Sequence, residues 1–318
     1  PDLSIEKTIL ARVGCTIAAG QCRTAQELIE LTTDADYVIT QFAPVDRSVI
    51  AAMRKAKVIV RYGIGVDNVD LNAARCKGIP VCNVPDYCID EVADQTVCLM
   101  LALTRQLLPN AMLVRDGGWG LGAPLERMRV LKEMVTGIIG FGRIGRQVAR
   151  RVRAFGGRVL VFDPFVTPSI ITAEACEPTS LDQLLTTSDL ISLHCPCTEQ
   201  TAGIINRESL AKMKPGVLLV NVGRGRLIDT DALVEACERG HVAGAGLDVT
   251  DPEPPDRDHP LRKMKEMILT SHIASFSPVA IRRLRESAAN LIVQAISGSP
   301  LQNVVNDVRF NSSTSAPH

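Results

Sequence analysis

Short apolar runs alternate with amphipathic runs along most of the chain, which is the pattern of a parallel α/β fold. Strands are predicted at residues 37–40, 58–62, 81–84, 136–140, 158–163, 190–195, 217–222, 244–249 and 267–272. Helices are predicted near 46–55, 72–76, 89–108, 143–155, 231–239 and 278–296. In the helix at 143–155, for example, Ile144, Val148 and Val152 fall on one apolar stripe.

The long helical run at 89–108 separates two α/β units. A chain of 318 residues is expected to form two domains, at about 150 residues each. We predict one domain from 1–102 with 279–318 and another from 103–278, because the last helix lies beyond the second unit and can pack back on the first. The glycine-rich stretch 116–124 is predicted as a loop.

The chain is 46% hydrophobic, and 35 basic residues balance 35 acidic ones, so its formal net charge is zero. This apolar fraction supports large cores and argues against disorder. A neutral balance gives no electrostatic reason to expect nucleic acid or an anionic membrane as partner, and no apolar run approaches the ~20 residues that span a bilayer. The ten cysteines form no CxxC pair and are interpreted as reduced, mostly buried side chains of a cytoplasmic protein; no metal site is expected.

A GxGxxG motif at Gly140, Gly142 and Gly145 follows a predicted strand and opens a predicted helix. The first glycine permits a tight turn, the second lets backbone approach a pyrophosphate, and the third lets helix pack on strand. Asp163 ends the next strand, 163 − 145 = 18 positions after the last glycine, where a carboxylate can bind ribose hydroxyls and would repel a 2′-phosphate. We therefore predict a site for NAD (NADH) in preference to NADP. The alternative is a glycine-tolerant turn of another doubly wound protein, such as a methyltransferase that binds adenosylmethionine.

Three later segments, 221–229, 246–255 and 270–275, each end a predicted strand, where open α/β sheets bind their ligands. They carry a cation, a carboxylate and a histidine: Arg224, Glu253 and His272. The reduction of a carbonyl builds negative charge on oxygen and needs a proton donor with a cation nearby. An arginine can also bridge the carbonyl and carboxylate of a 2-keto acid. Taken singly, the three residues have ordinary alternatives as a surface cation, a solvated acid and a buried histidine.

In combination these motifs resemble the D-isomer-specific 2-hydroxyacid dehydrogenase family. The resemblance runs from about residue 37 to residue 303. It rests on the glycine motif with Asp163, on NxxRGxxID at 221–229, on the LDV…EP stretch at 247–254, and on His272. Within the family, the runs 58–70 and 82–85 resemble the phosphoglycerate dehydrogenase and C-terminal-binding-protein branches.

The resemblance implies two Rossmann-like doubly wound domains, the outer one discontinuous and flavodoxin-like. It implies an NAD-dependent oxidoreductase that interconverts a small 2-keto acid and the (R)-2-hydroxy acid. Arg224 would bind and polarise the keto acid, and His272, partnered by Glu253, would be the proton donor or acceptor. Cofactor contacts would come from Gly140, Gly142, Arg143, Ile144, Gly145, Asp163, His194, Cys195, Pro196, Val222, Gly223 and, on the nicotinamide side, Asp248. The substrate carboxylate would be received by Arg61 and by the backbone of Gly63, Ile64 and Gly65.

Two other functions stay open. A formate-oxidising relative would pair the histidine with glutamine, which Glu253 disfavours. A dinucleotide-gated corepressor, as the C-terminal-binding proteins are, would retain the same arginine, glutamate and histidine. The substrate itself is left open, and specificity is expected to depend on side chains such as Tyr62, Tyr87 and Phe276.

The resemblance also bears on assembly and on the start of the chain. The segment 116–134 lies where family members form a dimer contact, so a homodimer is expected. Family members begin with a strand before their first helix, whereas residue 1 here is a proline. We expect the printed chain to begin just past that strand.

Overall fold

The computed structural model describes residues 2–310 and divides into two compact units. Of the described residues, one unit comprises 2–87 and 277–310, and the other comprises Cys88–Phe276. The sequence prediction placed the first boundary at residue 102, inside a helix that the structure assigns to the second unit. That helix belongs there because Leu99 and Leu103 lie against the glycines of a strand of the same unit, where a Cβ on Gly246 would be 3.0 Å from Leu99.

The first unit contains a three-stranded parallel sheet. Numbered along the chain, its strands are β1 (Tyr37–Thr40), β2 (Val58–Arg61) and β3 (Val81–Cys82), and its helices are α1 (Ser4–Ala11), α2 (Ala25–Thr32), α3 (Arg47–Ala52), α4 (Leu71–Cys76) and α12 (Pro278–Ile296). The strands lie in the order β1-β2-β3, with Tyr37 opposite Val58 and Ile59 opposite Val81. These are the apolar runs that the sequence pattern predicts as strands.

Capping side chains set the helix starts of this unit. Thr24 and Glu27 form a capping box at α2, and the carboxylates of Asp46 and Asp70 accept backbone N–H groups at the starts of α3 and α4. Asn306, fully buried, accepts a hydrogen bond from the backbone of Val81 and donates to the carbonyl of Ile79. The segment after α12 is thereby tied to the edge of the sheet.

The second unit contains a seven-stranded parallel sheet. Its strands are β4 (Val135–Ile139), β5 (Arg158–Phe162), β6 (Glu177–Pro178), β7 (Leu190–Leu193), β8 (Val217–Asn221), β9 (Val242–Leu247) and β10 (Met267–Leu269). Its helices are α5 (Ile89–Thr104), α6 (Leu107–Arg115), α7 (Arg143–Ala154), α8 (Pro168–Ala173), α9 (Leu181–Thr187), α10 (Arg207–Lys212) and α11 (Thr230–Glu238), with short 3₁₀ helices at Leu125–Arg127, Leu131–Glu133, Gly225–Leu227 and Pro260–Arg262. The strand order β10-β9-β8-β7-β4-β5-β6 is that of a doubly wound Rossmann-type sheet, which confirms the predicted fold class.

The strand order of the second unit reverses between β4 and β7, which are neighbours in the sheet. The crevice outside the carboxyl ends of the strands at such a reversal is where open α/β sheets bind ligands. The turns that follow Ile139 and Leu193 therefore flank the place where a ligand is expected.

The helical run predicted at 89–108 is broken in the structure. Helix α5 ends at Thr104, Gln106 adopts a left-handed φ of 52°, and α6 begins at Leu107. The side chain of Gln106 donates to the carbonyl of Leu103, which satisfies one of the orphan acceptors at the helix end. Among the described residues no single helix is long and apolar enough to cross a membrane, although α5 and α6, bent by 68°, pass that test together on length and composition.

The ten cysteines all lie within the described residues, and none of them forms a disulfide. Four are buried, at positions 82, 88, 176 and 237, whereas Cys76 and Cys98 are exposed and the other four are intermediate. Six of the ten are therefore not buried, and the prediction that most of the cysteines are buried is wrong.

Candidate functional site

The glycine motif forms the turn from β4 into α7. Gly140 has a φ of 95°, and a Cβ on it would lie 2.4 Å from the backbone nitrogen of Cys195. A Cβ on Gly145 would lie 2.1 Å from the carbonyl oxygen of Gly140, whereas a Cβ on Gly142 would meet nothing within 4 Å. Two of the glycines are thus required by the turn and its packing. The middle one leaves open space at the N-terminus of α7, which suits the close approach of a phosphate.

The residues beside this turn lie where the motif predicts them. Arg143 and Ile144 form the first turn of α7, with Arg143 exposed. Asp163 follows β5, and its carboxylate accepts the backbone N–H of Phe141 at 2.7 Å and that of Phe165 at 2.9 Å. The structure therefore brings the acidic residue against the glycine motif itself.

The loop after β7 packs on the other side of the same turn. The backbone of His194 donates to the carbonyl of Ile139 at 2.7 Å, and its Nε2 lies 2.8 Å from Oγ of Ser192. Burial lowers the pKa of His194 to about 3, so its imidazole is neutral at physiological pH. Burial likewise raises the pKa of the Cys195 thiol to about 11. Pro196 is exposed and its carbonyl accepts the hydroxyl of Thr201 at 2.6 Å.

The segment after β8 is held by a residue to which sequence reasoning assigned no role. Asn221, 1% exposed, accepts the backbone N–H of Gly223 and donates to the carbonyl of Arg224, at 3.0 and 2.8 Å. The Arg224 guanidinium donates from Nη1 to the carbonyl of Gly223 at 2.7 Å. Val222, which lies between Asn221 and Gly223 in the chain, is buried. A polar residue at the last position of a buried strand is the sequence signal that could have identified this turn.

His272 and Glu253, on different segments, are brought together. Nδ1 of His272 lies 2.6 Å from Oε1 of Glu253, although 19 positions separate them in the chain. Their side chains are 32% and 42% exposed, so a small molecule can reach the pair. His272 has a left-handed φ of 56°, a conformation that costs a non-glycine residue about 1–2 kcal/mol. Such strain must be held by the surrounding structure.

Asp248 holds the segment that carries His272. It is 1% exposed; Oδ1 accepts the hydroxyl of Thr270 and the backbone N–H of Ile273, and Oδ2 accepts that of Ala274. Its carbonyl accepts the N–H of His272 at 2.8 Å. The resemblance implies a contact between Asp248 and the cofactor, and the structure shows that both carboxylate oxygens are engaged by the histidine segment.

The predicted carboxylate-binding turn lies in the first unit, whereas every other predicted site residue lies in the second. Arg61 ends β2, and its Nη1 donates to the carbonyl of Tyr62 at 2.8 Å. Gly63 has a φ of 138°, and a Cβ on it would lie 1.7 Å from that Nη1. The carbonyl of Ile64 accepts Nδ2 of Asn83 at 2.7 Å, and Gly65 completes the turn. Glycine is therefore favoured at 63 by its positive φ, and a Cβ there would also displace the Arg61 guanidinium.

Comparison with known proteins identifies the class of this fold and site. The family model for the NAD-binding domain of D-isomer specific 2-hydroxyacid dehydrogenases matches residues 97–274, nearly all of the second unit. The chain belongs to the D-isomer-specific 2-hydroxyacid dehydrogenase family.

The chain matches relatives of about its own length and relatives that are much longer. The hydroxypyruvate reductase of Blautia hydrogenotrophica is 37% identical over 304 residues, which cover 91% of this chain and 93% of that protein. The D-3-phosphoglycerate dehydrogenase of Mycobacterium tuberculosis H37Rv is 38% identical over 281 residues, 88% of this chain and 53% of that protein. The chain thus spans about half the length of the mycobacterial relative.

A solved structure shows the same fold. The D-lactate dehydrogenase of Aquifex aeolicus, complexed with NAD and lactic acid, superposes with a TM-score of 0.83 and is 30% identical. The match covers 93% of this chain and 93% of that one. The likeness therefore extends over both units of the chain.

Proposed function

We propose that this protein is an NAD-dependent oxidoreductase that interconverts a small 2-keto acid and the corresponding (R)-2-hydroxy acid. The observation that carries the proposal is the 2.6 Å contact between His272 and Glu253, on segments that follow β10 and β9 at the carboxyl edge of a Rossmann-type sheet. A histidine held by a carboxylate and open to solvent is suited to move a proton. The handedness of the product rests on family membership.

The glycine motif fits a dinucleotide. Gly142 leaves open space in front of α7, and the helix N-terminus offers backbone N–H groups to a pyrophosphate. Asp163, beside the motif, would hold the adenosine ribose and repel a 2′-phosphate, which supports NAD over NADP. Bound NADH would supply the hydride for reduction of the keto acid. His194, Cys195 and Pro196 would line the same crevice, and Val222 and Gly223 would contribute from the turn after β8.

The chain's own residues would handle charge and protons. Protonated His272 would donate its proton to the carbonyl oxygen of the keto acid, and neutral His272 would take it back in the reverse direction. Glu253 would orient the ring through Nδ1, and Nε2 would be the nitrogen that exchanges the proton with the substrate. Arg224 would polarise the carbonyl, and Arg61 with the turn at 63–65 would receive the carboxylate.

The experiment follows NADH absorbance at 340 nm against glyoxylate, hydroxypyruvate, pyruvate, phenylpyruvate and phosphohydroxypyruvate. We expect His272→Ala to lower kcat by ~10²–10⁴-fold while NADH binding is nearly unchanged. His241→Ala is the matched control, since this histidine precedes β9, at the end of the strands opposite to the proposed site, and its Nε2 lies 2.8 Å from the carbonyl oxygen of Leu210. Turnover by His272→Ala equal to that of the unmodified protein would remove His272 from the mechanism, and formate-dependent NADH formation would favour the formate-oxidising alternative.

We further propose that the protein is a homodimer. Within residues 107–130 of the second unit, large apolar side chains are unusually exposed: Leu107, Leu108, Met112, Val114, Trp119, Leu121, Leu125 and Val130. Trp119 is the most exposed of them, at 92%. Exposed apolar patches of this kind mark association surfaces. The segment includes the loop where the family resemblance implies a dimer contact. Light scattering at micromolar concentration tests this proposal, and a monomer would contradict it.

A further inference from the structure

An ionic cluster around a buried carboxylate in the first unit has no part in the chemistry proposed above. Glu6, on α1, is 3% exposed, and Arg285, on α12, donates from Nε and Nη2 to its two carboxylate oxygens at 2.7 and 2.6 Å. The hydroxyl of Tyr62 donates to Oε1 of the same carboxylate at 2.6 Å. Buried charges are costly unless they are paired and hydrogen-bonded, and this carboxylate meets both conditions.

Tyr62 connects this cluster to the turn after β2. Its backbone nitrogen donates to the carbonyl of Thr40 at 2.7 Å, and its own carbonyl accepts Nη1 of Arg61 at 2.8 Å. The Arg61 guanidinium therefore lies on the main chain of Tyr62, in the space that Gly63 leaves without a Cβ. Any shift of residue 62 moves the atom on which this guanidinium is placed.

The bond between Tyr62 and Glu6 holds across the physiological pH range. Burial alone would raise the pKa of Glu6, but the hydrogen bonds from Arg285 and Tyr62 outweigh it, and the pKa is lowered. Burial, together with the bond to Glu6, raises the pKa of Tyr62 far above its ordinary value. The pair is therefore a phenol donating to a carboxylate, a charge-assisted bond stronger than a neutral one.

We propose that Glu6, Arg285 and Tyr62 are positioning residues that hold the Arg61 guanidinium where it receives the carboxylate of the substrate. The inference rests on the proposed function of the turn at residues 61–65. The three residues act through Arg61 and are assigned no contact with the reacting atoms. If the cluster were only a structural tie between α1 and α12, a substitution in it would lower the free energy of unfolding and leave the affinity for substrate unchanged.

The test is Tyr62→Phe in the full chain, which removes one hydroxyl and leaves the ion pair between Glu6 and Arg285 in place. We expect KM for the best keto acid of the panel to rise about tenfold, because a ~1 Å misplacement of a binding group can cost up to ~10²-fold. The kcat and the Kd for NADH are expected to stay within about twofold. Glu6→Gln is the second variant and should raise KM in the same direction.

Tyr37→Phe is the matched control, because Tyr37 lies at the start of β1 in the same unit and is not hydrogen-bonded to Glu6. The same variants are titrated with oxalate by calorimetry in the presence of NADH, a readout that needs no turnover. If Tyr62→Phe weakens oxalate binding while Tyr37→Phe does not, the inference stands even when no keto acid is turned over, and only the proposed function fails. An unchanged KM and oxalate Kd, an equal loss in Tyr37→Phe, or a wild-type protein that binds no oxalate would each overturn it.

Discussion

Two alanine substitutions in the glycine motif separate cofactor contact from protein packing. Gly142 has φ and ψ of −72° and −161°, which alanine adopts freely, and a Cβ on it would meet nothing within 4 Å. A Cβ on Gly145 would lie 2.1 Å from the carbonyl oxygen of Gly140. Gly142→Ala should therefore act on the ligand, and Gly145→Ala should act on the fold.

The expected magnitude for Gly142→Ala follows from its position as the N-cap of α7. Alanine is a poorer N-cap than glycine by about 0.5–1 kcal/mol, which lowers the Tm of a unit this size by about 1–4 °C. A methyl group forced against a closely approaching pyrophosphate costs about 1–3 kcal/mol, which corresponds to a Kd for NADH raised about 5- to 150-fold. The cofactor effect thus exceeds the effect on stability.

For Gly145→Ala the two contributions oppose each other. Alanine inside a helix is favoured over glycine by about 1 kcal/mol, but the contact with a backbone oxygen leaves the side chain no way to move aside. Displacing backbone at such a contact costs about 1–3 kcal/mol or more, so a net loss of stability is expected. Thermal unfolding followed by circular dichroism and NADH titration by calorimetry measure both effects. A Gly142→Ala protein that binds NADH like the unmodified chain would refute the placement of the pyrophosphate, and a fully stable Gly145→Ala would refute the packing argument.

Three further predictions concern Cys195, Glu6 and Asp248. Since burial raises the pKa of Cys195 to about 11, only about 0.1% of its side chain is thiolate at pH 8. Peptide mapping after treatment with iodoacetamide should therefore show that the exposed Cys76 and Cys98 are labelled first. Early labelling of Cys195 would contradict this. Because the pKa of Glu6 is lowered in the folded protein, its ionised carboxylate stabilises the fold above the ordinary carboxyl value of ~4.3, and this contribution disappears as the pH falls through the lowered pKa. Urea unfolding should therefore show that the difference in free energy of unfolding between the unmodified protein and Glu6→Gln shrinks in acid. A difference that persists at pH 2 would contradict this. Asp248→Asn replaces one acceptor by a donor and leaves a buried N–H or hydroxyl unpaired, which costs about 1–3 kcal/mol. We expect kcat to fall about tenfold or more with little change in the affinity for NADH. An equal fall in that affinity would instead indicate a cofactor contact.

Much of the second unit could be predicted from local patterns. Parallel strands buried on both faces read as short runs of β-branched and leucine residues, and the runs at β4, β5, β7 and β8 were predicted within about two residues of their observed ends. The approach of Asp163 to the glycine motif and of Glu253 to His272 follows from the same logic. Residues that end neighbouring parallel strands meet at one edge of the sheet, whatever their separation in sequence.

Tertiary packing decided what the pattern could not. Residues 105 and 106 are arginine and glutamine, both compatible with a helix, yet the chain turns there with Gln106 in the left-handed region. The two-residue strand β6 ends on Pro178, and such short edge pairing carries no periodic signal. The boundary between the units was likewise misplaced because an apolar helix does not reveal which sheet it packs against.

The positions of Asp248 and Tyr62 show a more general limit of motif reasoning. A motif reports which residue types end a strand. The family resemblance implies a cofactor contact for Asp248, and Tyr62 is expected to affect specificity. In the structure the carboxylate of Asp248 binds the segment of His272, and the hydroxyl of Tyr62 binds Glu6, whose other partner lies 279 positions away. A charged residue on an amphipathic helix is ordinarily interpreted as facing solvent, so no local signal identifies Glu6 as buried or Arg285 as its partner. The partner Glu253 of His272 was identified from the sequence, whereas the contacts of Asp248 with the His272 segment and of Tyr62 with Glu6 were not.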